Sequence, residues 1–149
     1  MSDAHHFESS ALWTAKHEGR LEASGLPPLE IAAPPEFGGP GERWTPEHLF
    51  VSSANACVMM TFVAIAEFSK LPVRGWRSVA KGTLEKVEGE GYRFTSIDIE
   101  AHVEVEEEKH VERARRIVEK AEAACLVSHS LRTPVRVTAQ VKSMKSSQE

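Results

Sequence analysis

The sequence predicts an α+β fold in which an antiparallel β-sheet wraps around one long buried helix, with a second, amphipathic helix beside it. Residues 46–70 are apolar on almost every side, which is typical of a helix inside a core. Residues 92–106, YRFTSIDIEAHVEVE, alternate apolar and polar side chains with the period of a strand. Residues 107–125 repeat apolar side chains every three or four positions, as an amphipathic helix does. Because strands and helices do not alternate along the chain, we expect an antiparallel sheet.

The long helix has clear signals at both ends. Thr45 is a good N-cap, Pro46 suits the first helical position, and Glu47 complements the helix dipole in the first turn. The helix is expected to end before Pro72, which cannot continue it. Its most apolar run, residues 58–66, is too short to cross a bilayer. We therefore predict a core helix and no association with a membrane.

Turn residues and periodicity predict the remaining elements. Residues 8–33 form short strands, and the Gly- and Pro-rich residues 34–43 form a loop. Two longer strands, 73–87 and 92–106, are joined by a hairpin turn. The chain then passes through the second helix and a loop at 128–134 to a final strand at 135–142.

Two apolar faces define the expected core. One face of the second long strand carries Ile97, Ile99, Ala101, Val103 and Val105. One face of the helix that follows it carries Val111, Ala114, Val118, Ala121 and Cys125. Cys125 therefore closes a buried stripe at the end of that helix.

Length and composition indicate an ordinary globular protein. The 149 residues fit a single domain, with residues 1–7 and 144–149 as flexible tails. The net charge of -4 gives no electrostatic reason to bind nucleic acid or an anionic membrane. The N-terminal segment MSDAHHFESS lacks the apolar centre of a secretory signal. We expect a cytoplasmic protein.

Two cysteines, Cys57 and Cys125, are the chemically notable side chains. A cytoplasmic pair is not expected to form a permanent structural disulfide, so the two are either small core residues or a redox pair. No CxxC motif is present, and His129 beside Cys125 supplies too few ligands for a metal site. We expect no metal and no cofactor.

A redox pair requires a thiolate at neutral pH, and a nearby cation favours that form. Arg20 and Arg43 are candidates for this cation, although either is equally explained as a solvated surface charge. Glu47 has two interpretations as well. It complements the helix dipole, or it holds an arginine side chain through a bidentate pair.

Three segments together resemble the OsmC/Ohr family, the osmotically inducible and organic-hydroperoxide-resistance proteins. FGGPGERWTPEHLFVSSANAC resembles the family's loop and central helix, in which a Pro-Glu pair precedes the reactive cysteine; it points to Glu47 and Cys57. CLVSHSL resembles the second cysteine segment, usually Cys-Pro-Val-Ser, and points to Cys125. HEGR resembles the segment that supplies a catalytic arginine, and points to Arg20. Leu126 in place of the proline, and Trp44 and Thr45 in place of Thr-Asn, depart from the typical pattern.

The resemblance implies an intertwined homodimer with thiol peroxidase activity. Cys57 would attack an organic hydroperoxide and become a sulfenic acid, and Cys125 would condense with it to a disulfide. A dithiol reductant, of lipoyl type in the Ohr branch, would reopen that disulfide. Apolar side chains expected to contact an alkyl or fatty-acyl peroxide are Phe50, Met59, Met60 and Phe62. A thiol redox sensor with little turnover, or a dimer that binds small apolar ligands, are the alternatives.

Helix geometry gives a separate reason to expect two chains in each site. Glu47 and Cys57 are ten residues apart, which is about 15 Å along one helix. No Gly or Pro lies between them to break the helix. We therefore expect composite sites in which Cys57 and Cys125 of one chain meet Glu47 and Arg20 of the other.

Overall fold

The structure is a computed structural model that describes residues 3–145. The chain forms two compact units, Met1–Phe50 and Val51–Glu149. The long helix α1, Pro46–Phe68, begins in the first unit and continues into the second. The proposal that the chain is one domain stays a prediction. Residues 1–2 and 146–149 of the expected tails lie outside the described residues, whereas residues 144 and 145 belong to the last strand.

The first unit contains a three-stranded antiparallel sheet in the order β1 (Ser10–Ala15), β2 (Glu18–Glu22), β3 (Leu29–Ala32). Gly19 allows β1 and β2 to approach closely, because a Cβ there would lie 2.8 Å from the carbonyl oxygen of Leu12. A short 3₁₀ turn, Pro35–Phe37, lies in the predicted loop.

The start of α1 forms as predicted. The Thr45 hydroxyl accepts a hydrogen bond from the backbone N–H of His48 at 3.0 Å, which caps the helix. The same oxygen lies 2.8 Å from Nδ1 of the His48 ring. Pro46 is the first helical residue and Glu47 is the acidic residue of the first turn. Thr45 is also almost fully buried, and its position fixes where the chain enters the helix.

The second unit contains a mixed sheet in the order β4 (Val73–Val87), β5 (Gly91–Glu107), β6 (Val135–Lys145). β4 and β5 form the predicted hairpin, but β5 and β6 are parallel, so the expectation of a purely antiparallel sheet is wrong. The reason is the connection, which crosses the sheet through helix α2 (Val111–Ala124) and helix α3 (Leu126–Ser130). This crossover returns the chain to the end of the sheet where β5 began.

The core of the second unit confirms both predicted apolar faces. The five alternating residues of β5 are all buried: Ile97, Ile99, Ala101, Val103 and Val105. The buried stripe of α2 consists of Ala114, Ile117, Val118 and Ala121, and the buried Cys125 follows it. Helix α2 is also tied to β6, because the Glu122 carboxylate accepts the backbone N–H of Val137 at 3.0 Å.

The sequence predicts that helix α1 is buried on almost every side. In the structure, it is buried along one stripe only. Its buried residues recur every fourth position: Ala54, Val58, Phe62 and Ala66. The opposite side carries Met60 and Val63, both exposed in the single chain. Gly82 on β4 lets the helix come close, since a Cβ there would lie 2.4 Å from Val51. The uncovered side of α1 explains why a helix with so apolar a sequence is only partly buried.

Helix α1 is long and apolar enough to cross a membrane, with a mean hydropathy of 1.9 over its 18-residue window. Core helices of soluble proteins meet the same criteria. In this chain, Phe62 and Ala66 pack in the same buried cluster as Val103 and Val118. The helix is therefore a structural element of the core.

Candidate active site

The two cysteines meet in the second unit. Cys57 lies near the middle of α1 and is half-buried, whereas Cys125 is fully buried between α2 and α3. Both are free thiols, and the two sulfur atoms are within hydrogen-bonding reach of each other. The half-buried position of Cys57 differs from the fully buried thiol expected of an all-apolar helix. It leaves the sulfur with a surface that a small molecule can approach.

Hydrogen-bond donors surround the Cys57 sulfur. They are the thiol of Cys125, the backbone N–H groups of Val127 and Leu126, and the hydroxyl of Thr61. Thr61 lies one helical turn after Cys57, and its Oγ1 is 3.9 Å from the sulfur. A sulfur that receives several donors is stabilised as a thiolate.

These donors determine the acidity of the thiol. Burial raises the pKa of Cys57 and is the largest single influence on it. The hydrogen bonds from Cys125, Val127, Thr61 and Leu126 together outweigh burial, so that the pKa is lowered below that of an ordinary cysteine. Cys57 is therefore more nucleophilic near neutral pH than a free cysteine would be.

The backbone donors are available because of how α3 begins. Cys125 precedes the helix with extended backbone angles, φ −66° and ψ 113°. The first helical hydrogen bond runs from the N–H of His129 to the carbonyl oxygen of Cys125. The N–H groups of Leu126 and Val127 therefore have no acceptor inside the helix. They point to the Cys57 sulfur instead.

Arg20 and Arg43 lie in the first unit and share a carboxylate there. The Nε of Arg20 donates to Glu30 at 2.7 Å, and Arg20 also pairs with Glu22 at 3.9 Å. Arg43 pairs with Glu30 at 3.5 Å and with Glu18 at 3.6 Å. The hydrogen bond and the charge of Glu30 raise the pKa of the Arg20 guanidinium further. Within residues 3–145 the carboxylates that hold Arg20 are thus Glu30 and Glu22, and the expected pairing of Glu47 with an arginine does not occur.

Glu47 carries an unusual oxygen. Its Oε1 is buried and has no hydrogen-bond partner among the described residues. Buried polar atoms in native proteins nearly always have a partner, because an unpaired carboxylate oxygen is costly to remove from water.

The four residues expected to contact an apolar substrate are placed very differently. Phe62 lies in the core, with its ring centroid 4.7 Å from that of Trp76 and no exposed surface. The sheet covers Phe62 in the single chain, and its contact with substrate stays a prediction. Met60 is exposed, and Phe50 and Met59 are half-buried.

A hydrogen-bonded chain fixes α1 on the sheet close to Cys57. The Trp76 indole donates to the Ser78 hydroxyl at 2.9 Å, and that hydroxyl donates to the Asn55 side-chain oxygen at 2.7 Å. Asn55 is two residues before Cys57 in the same helix. The helix therefore cannot rotate freely, and the sulfur keeps its position opposite α3.

The family model described as OsmC-like protein matches residues 39–140, a segment that contains both cysteines and all of α1, α2 and α3. The chain belongs to the OsmC-like protein family.

Solved structures have the same fold as this OsmC-like chain. An OsmC-like protein of unknown function from Vibrio cholerae is 18% identical with a TM-score of 0.84, over 92% of this chain and 100% of that one. An organic hydroperoxide resistance protein from Elizabethkingia anophelis is 21% identical with a TM-score of 0.74, over 96% and 99%. One from Legionella pneumophila is 23% identical with a TM-score of 0.71, over 95% and 99%. A comparison with curated proteins finds no match.

Some site residues of this OsmC-like chain were not predicted. The sequence showed a loop over residues 128–134, but its first three residues belong to α3. A helix of five residues is too short to give a periodic pattern, so the donors Leu126 and Val127 carried no signal. Thr61 was detectable in principle, because residues four apart share one face of a helix. Among residues 3–145, no group of three or more His, Cys, Asp or Glu side chains is placed to hold a metal ion.

Proposed function

We propose that this protein is a cytoplasmic thiol peroxidase that reduces organic hydroperoxides in defence against oxidative stress. The observation that carries the proposal is the contact between a half-buried Cys57, with several donors at its sulfur, and a buried Cys125. Two structurally similar proteins are named organic hydroperoxide resistance proteins, which supports the same reaction class.

The reaction uses each thiol in turn. The Cys57 thiolate attacks the outer oxygen of ROOH, the O–O bond breaks, and the alkoxide leaves as ROH after it takes a proton. Cys57 is then a sulfenic acid, and attack by the Cys125 sulfur forms the disulfide and releases water. A dithiol, for which a lipoyl group is the proposed source, reduces this disulfide by exchange and is itself oxidised to a cyclic disulfide.

The position of Cys125 favours a fast second step. Its sulfur already contacts that of Cys57 in the reduced protein, so disulfide formation requires only a local adjustment. Because Cys125 is fully buried, its own thiol is shielded from direct oxidation by peroxide. This division of roles, with an accessible attacking thiol and a protected resolving thiol, limits overoxidation.

We propose Phe50, Met59 and Met60 as the apolar contacts of the substrate. They are half-buried or exposed in the single chain, and Met60 has more than half of its surface free. Flexible methionine side chains adapt to alkyl groups of different shape. An alkyl or fatty-acyl hydroperoxide gains from this contact, whereas hydrogen peroxide has no apolar part.

We also propose that the active site is shared between two chains of a homodimer. A continuous α1 separates residues ten positions apart by about 15 Å, which is too far for Glu47 to act beside Cys57 of the same helix. The exposed apolar side of α1, with Met60 and Val63, supports an assembly of two copies. Each site would then join Cys57 and Cys125 to Glu47, with Arg20 or Arg43, of the other chain.

Subunit complementation tests the shared site. A Cys57→Ser chain is refolded together with a chain that carries Glu47→Ala and Arg20→Ala, and mixed dimers are isolated by two affinity tags. Each parent dimer should be nearly inactive, whereas the mixed dimer should recover up to about half of wild-type activity because one of its two sites is complete. Mixed dimers as inactive as their parents would place the whole site within one chain.

Peroxide consumption tests the function itself. The purified protein is assayed with dihydrolipoamide or dithiothreitol as reductant, and cumene hydroperoxide is compared with hydrogen peroxide. Repeated turnover with a preference for the organic peroxide is expected. A Cys57–Cys125 disulfide that forms without turnover would identify a redox sensor, and two unreactive cysteines would leave a binding protein for small apolar ligands.

A further inference from the structure

Helix α1 carries a hydroxyl group beside the Cys57 sulfur. Residues 58–66 contain a single polar side chain, Thr61, in a run that otherwise consists of Val, Met, Phe, Ile and Ala. Thr61 lies four residues after Cys57, so the two side chains share one face of the helix. Its Oγ1 is 3.9 Å from the Cys57 sulfur. The one polar residue of this apolar run therefore lies at the thiol.

The contact of the Thr61 hydroxyl is not the usual one for a helix. A Ser or Thr hydroxyl inside a helix commonly hydrogen-bonds to the carbonyl oxygen of the residue four positions earlier. Ser130 of α3 shows this arrangement, since its Oγ donates to the carbonyl oxygen of Leu126 at 2.9 Å. Within residues 3–145, the hydrogen bond of the Thr61 side chain is with a sulfur atom instead. Thr61 and Cys57 are both half-buried, so this contact lies at the border of the core.

Helix formation does not favour a threonine at this position. A β-branched side chain loses rotamer freedom in a helix, and Ala, Leu or Met would form the helix better. The contact with the sheet is made by the neighbouring Phe62, which is fully buried against Trp76. The group that distinguishes Thr61 from the apolar side chains around it is its hydroxyl.

The distance between Thr61 and the sulfur suits an oxygen atom placed between them. Two oxygen atoms that share a hydroxyl hydrogen are about 2.7–2.8 Å apart, which is about 1.1 Å shorter than the 3.9 Å between Oγ1 and the Cys57 sulfur. When Cys57 becomes a sulfenic acid, its new oxygen lies one S–O bond from the sulfur. That bond is longer than the difference. An oxygen on the side of Thr61 therefore reaches hydrogen-bond distance when the S–O bond is inclined to the line between the sulfur and Oγ1.

We propose that Thr61 is a further catalytic residue, whose hydroxyl holds the oxygen that Cys57 takes up from the peroxide. The proposal rests on the proposed peroxidase function and concerns its second step. In that step the Cys125 sulfur attacks the Cys57 sulfur, the S–S bond forms, and the S–O bond breaks. The oxygen leaves with the electron pair of that bond. It takes up the proton that the Cys125 thiol has lost, and departs as water.

The Thr61 hydroxyl acts most strongly while the S–O bond breaks. The oxygen of a sulfenic acid is neutral, but it gains negative charge as it departs. A hydrogen bond to a charged group is stronger than one to a neutral group. An interaction that strengthens in the transition state accelerates the step. Thr61 therefore favours formation of the disulfide over further oxidation of Cys57.

Two substitutions separate the hydroxyl from the rest of the side chain. Thr61→Val replaces the hydroxyl by a methyl group and keeps the branched shape, whereas Thr61→Ser keeps the hydroxyl and removes the methyl group. Reduced protein is mixed with one equivalent of cumene hydroperoxide, at a pH on the plateau of the Cys57 alkylation profile. Samples are quenched with dimedone, which labels the sulfenic acid, and the reduced, sulfenic and disulfide forms are measured by mass spectrometry.

Thr61→Val should form the disulfide roughly tenfold more slowly than wild type, which is the effect of losing one hydrogen bond to a group that gains charge. Its sulfenic acid should accumulate. The first oxidation of Cys57 should change by less than about twofold, because a contact as long as that between Thr61 and the reduced sulfur is weak. Thr61→Ser should retain the wild-type rates of both steps.

A Thr61→Val protein that forms the disulfide at the wild-type rate, or that slows both steps equally, would overturn the proposal. So would a Thr61→Ser protein as slow as the valine variant. If Thr61→Val does not fold, Thr61→Ala is compared with Thr61→Ser in the same way. A slow second step in Thr61→Val, in a protein whose wild type does not turn over, would support the role of Thr61 and contradict the peroxidase function. A Cys57 that forms no sulfenic acid would overturn both.

Discussion

The two compact units of this chain differ in how completely their side chains are buried or paired within the same unit. The second unit has a core of alternating strand residues and helix stripes, and it holds both cysteines with the donors to Cys57. The first unit leaves large apolar side chains exposed, among them Trp13 at 80% on the fully exposed strand β1. It also contains Glu47, whose buried Oε1 has no hydrogen-bond partner among residues 3–145.

This difference distinguishes the properties that a single chain already has from those that are proposed to require a second chain. The lowered pKa of Cys57 and the contact with Cys125 arise within the second unit alone. The arginines of the first unit are neutralised by carboxylates of the same unit, chiefly Glu30. The single chain thus already lowers the pKa of its thiol, whereas a role for the charged residues in a site completed by a second copy stays a proposal.

The largest expected effects concern the thiols of the second unit. Cys57→Ser should abolish peroxide consumption, because serine is not acidic enough to provide the nucleophile. Cys125→Ser should allow one rapid oxidation of Cys57, followed by its conversion to sulfinic acid, because no resolving thiol is present. Steady-state peroxide assays and mass spectrometry of the Cys57 peptide measure both outcomes. Continued turnover by the Cys57 variant would show that another residue is the nucleophile.

Stability should show the same contrast between the two units. Phe62→Ala removes a fully buried ring that packs on Trp76, and should lower the free energy of unfolding by about 3–5 kcal/mol. Trp13→Ala at an exposed position should cost less than about 1 kcal/mol if its surface stays in water. Urea unfolding measures both values. A large cost for Trp13→Ala would show that a second copy covers this strand.

Acidity of the thiol should depend more on the second unit than on the first. Cys125→Ala and Arg20→Ala should each raise the pKa of Cys57, the first by removing a direct hydrogen bond and the second by removing a cation. The effect of Arg20→Ala should be the smaller, since Glu30 and Glu22 already compensate its charge. Because the pKa of Cys57 is lowered, the thiolate persists below the usual range for cysteine and is lost only as the pH falls through the lowered value.

Alkylation of Cys57 as a function of pH separates these cases. Arg43→Ala serves as the control for Arg20→Ala, because both arginines pair with Glu30 and only one of them is expected to face the thiolate. If Arg20→Ala leaves the profile unchanged and Arg43→Ala moves it, the roles of the two arginines are exchanged. If neither variant changes the pH profile, neither arginine stabilises the Cys57 thiolate.

The smallest effect is expected for Glu30→Gln in the first unit. The substitution weakens two surface ion pairs, and pairs of this kind contribute little to stability because water and salt screen them. Thermal unfolding should therefore be almost unchanged. Release of Arg20 and Arg43 from Glu30 should, however, make peroxide consumption more sensitive to salt concentration. A large loss of stability would contradict the interpretation that the ion pairs of Glu30 are exposed to solvent.

Sequence patterns predicted the elements whose signals are local and periodic. The alternation from Ile97 to Val105, the stripe of α2 and the cap at Thr45 depend only on neighbouring residues, and all three form as expected. The parallel pairing of β5 with β6 was missed because a strand pattern carries no information on direction. The partial burial of α1 was missed because an apolar sequence does not show which neighbours are available to cover it.

The candidate site shows the same limit. Cys57 and Cys125 are recognisable from the sequence, but the donors at the sulfur are backbone groups, and any residue other than proline can supply an N–H. The choice of Glu30 rather than Glu47 as the partner of Arg20 depends on strand register, which places Arg20 opposite Glu30 in the β2–β3 pair. Such pairings follow from the assembled sheet and not from residue type.

The central claim is that Cys57 and Cys125 form one redox pair, and stoichiometric oxidation tests it most directly. The reduced protein is mixed with one equivalent of cumene hydroperoxide per chain, and free thiols are counted before and after. We predict that both thiols of each chain are lost, that a Cys57–Cys125 peptide pair appears within a single chain, and that dihydrolipoamide restores both thiols. Two thiols that remain free after the peroxide is added, or a disulfide that joins two chains, would contradict this account.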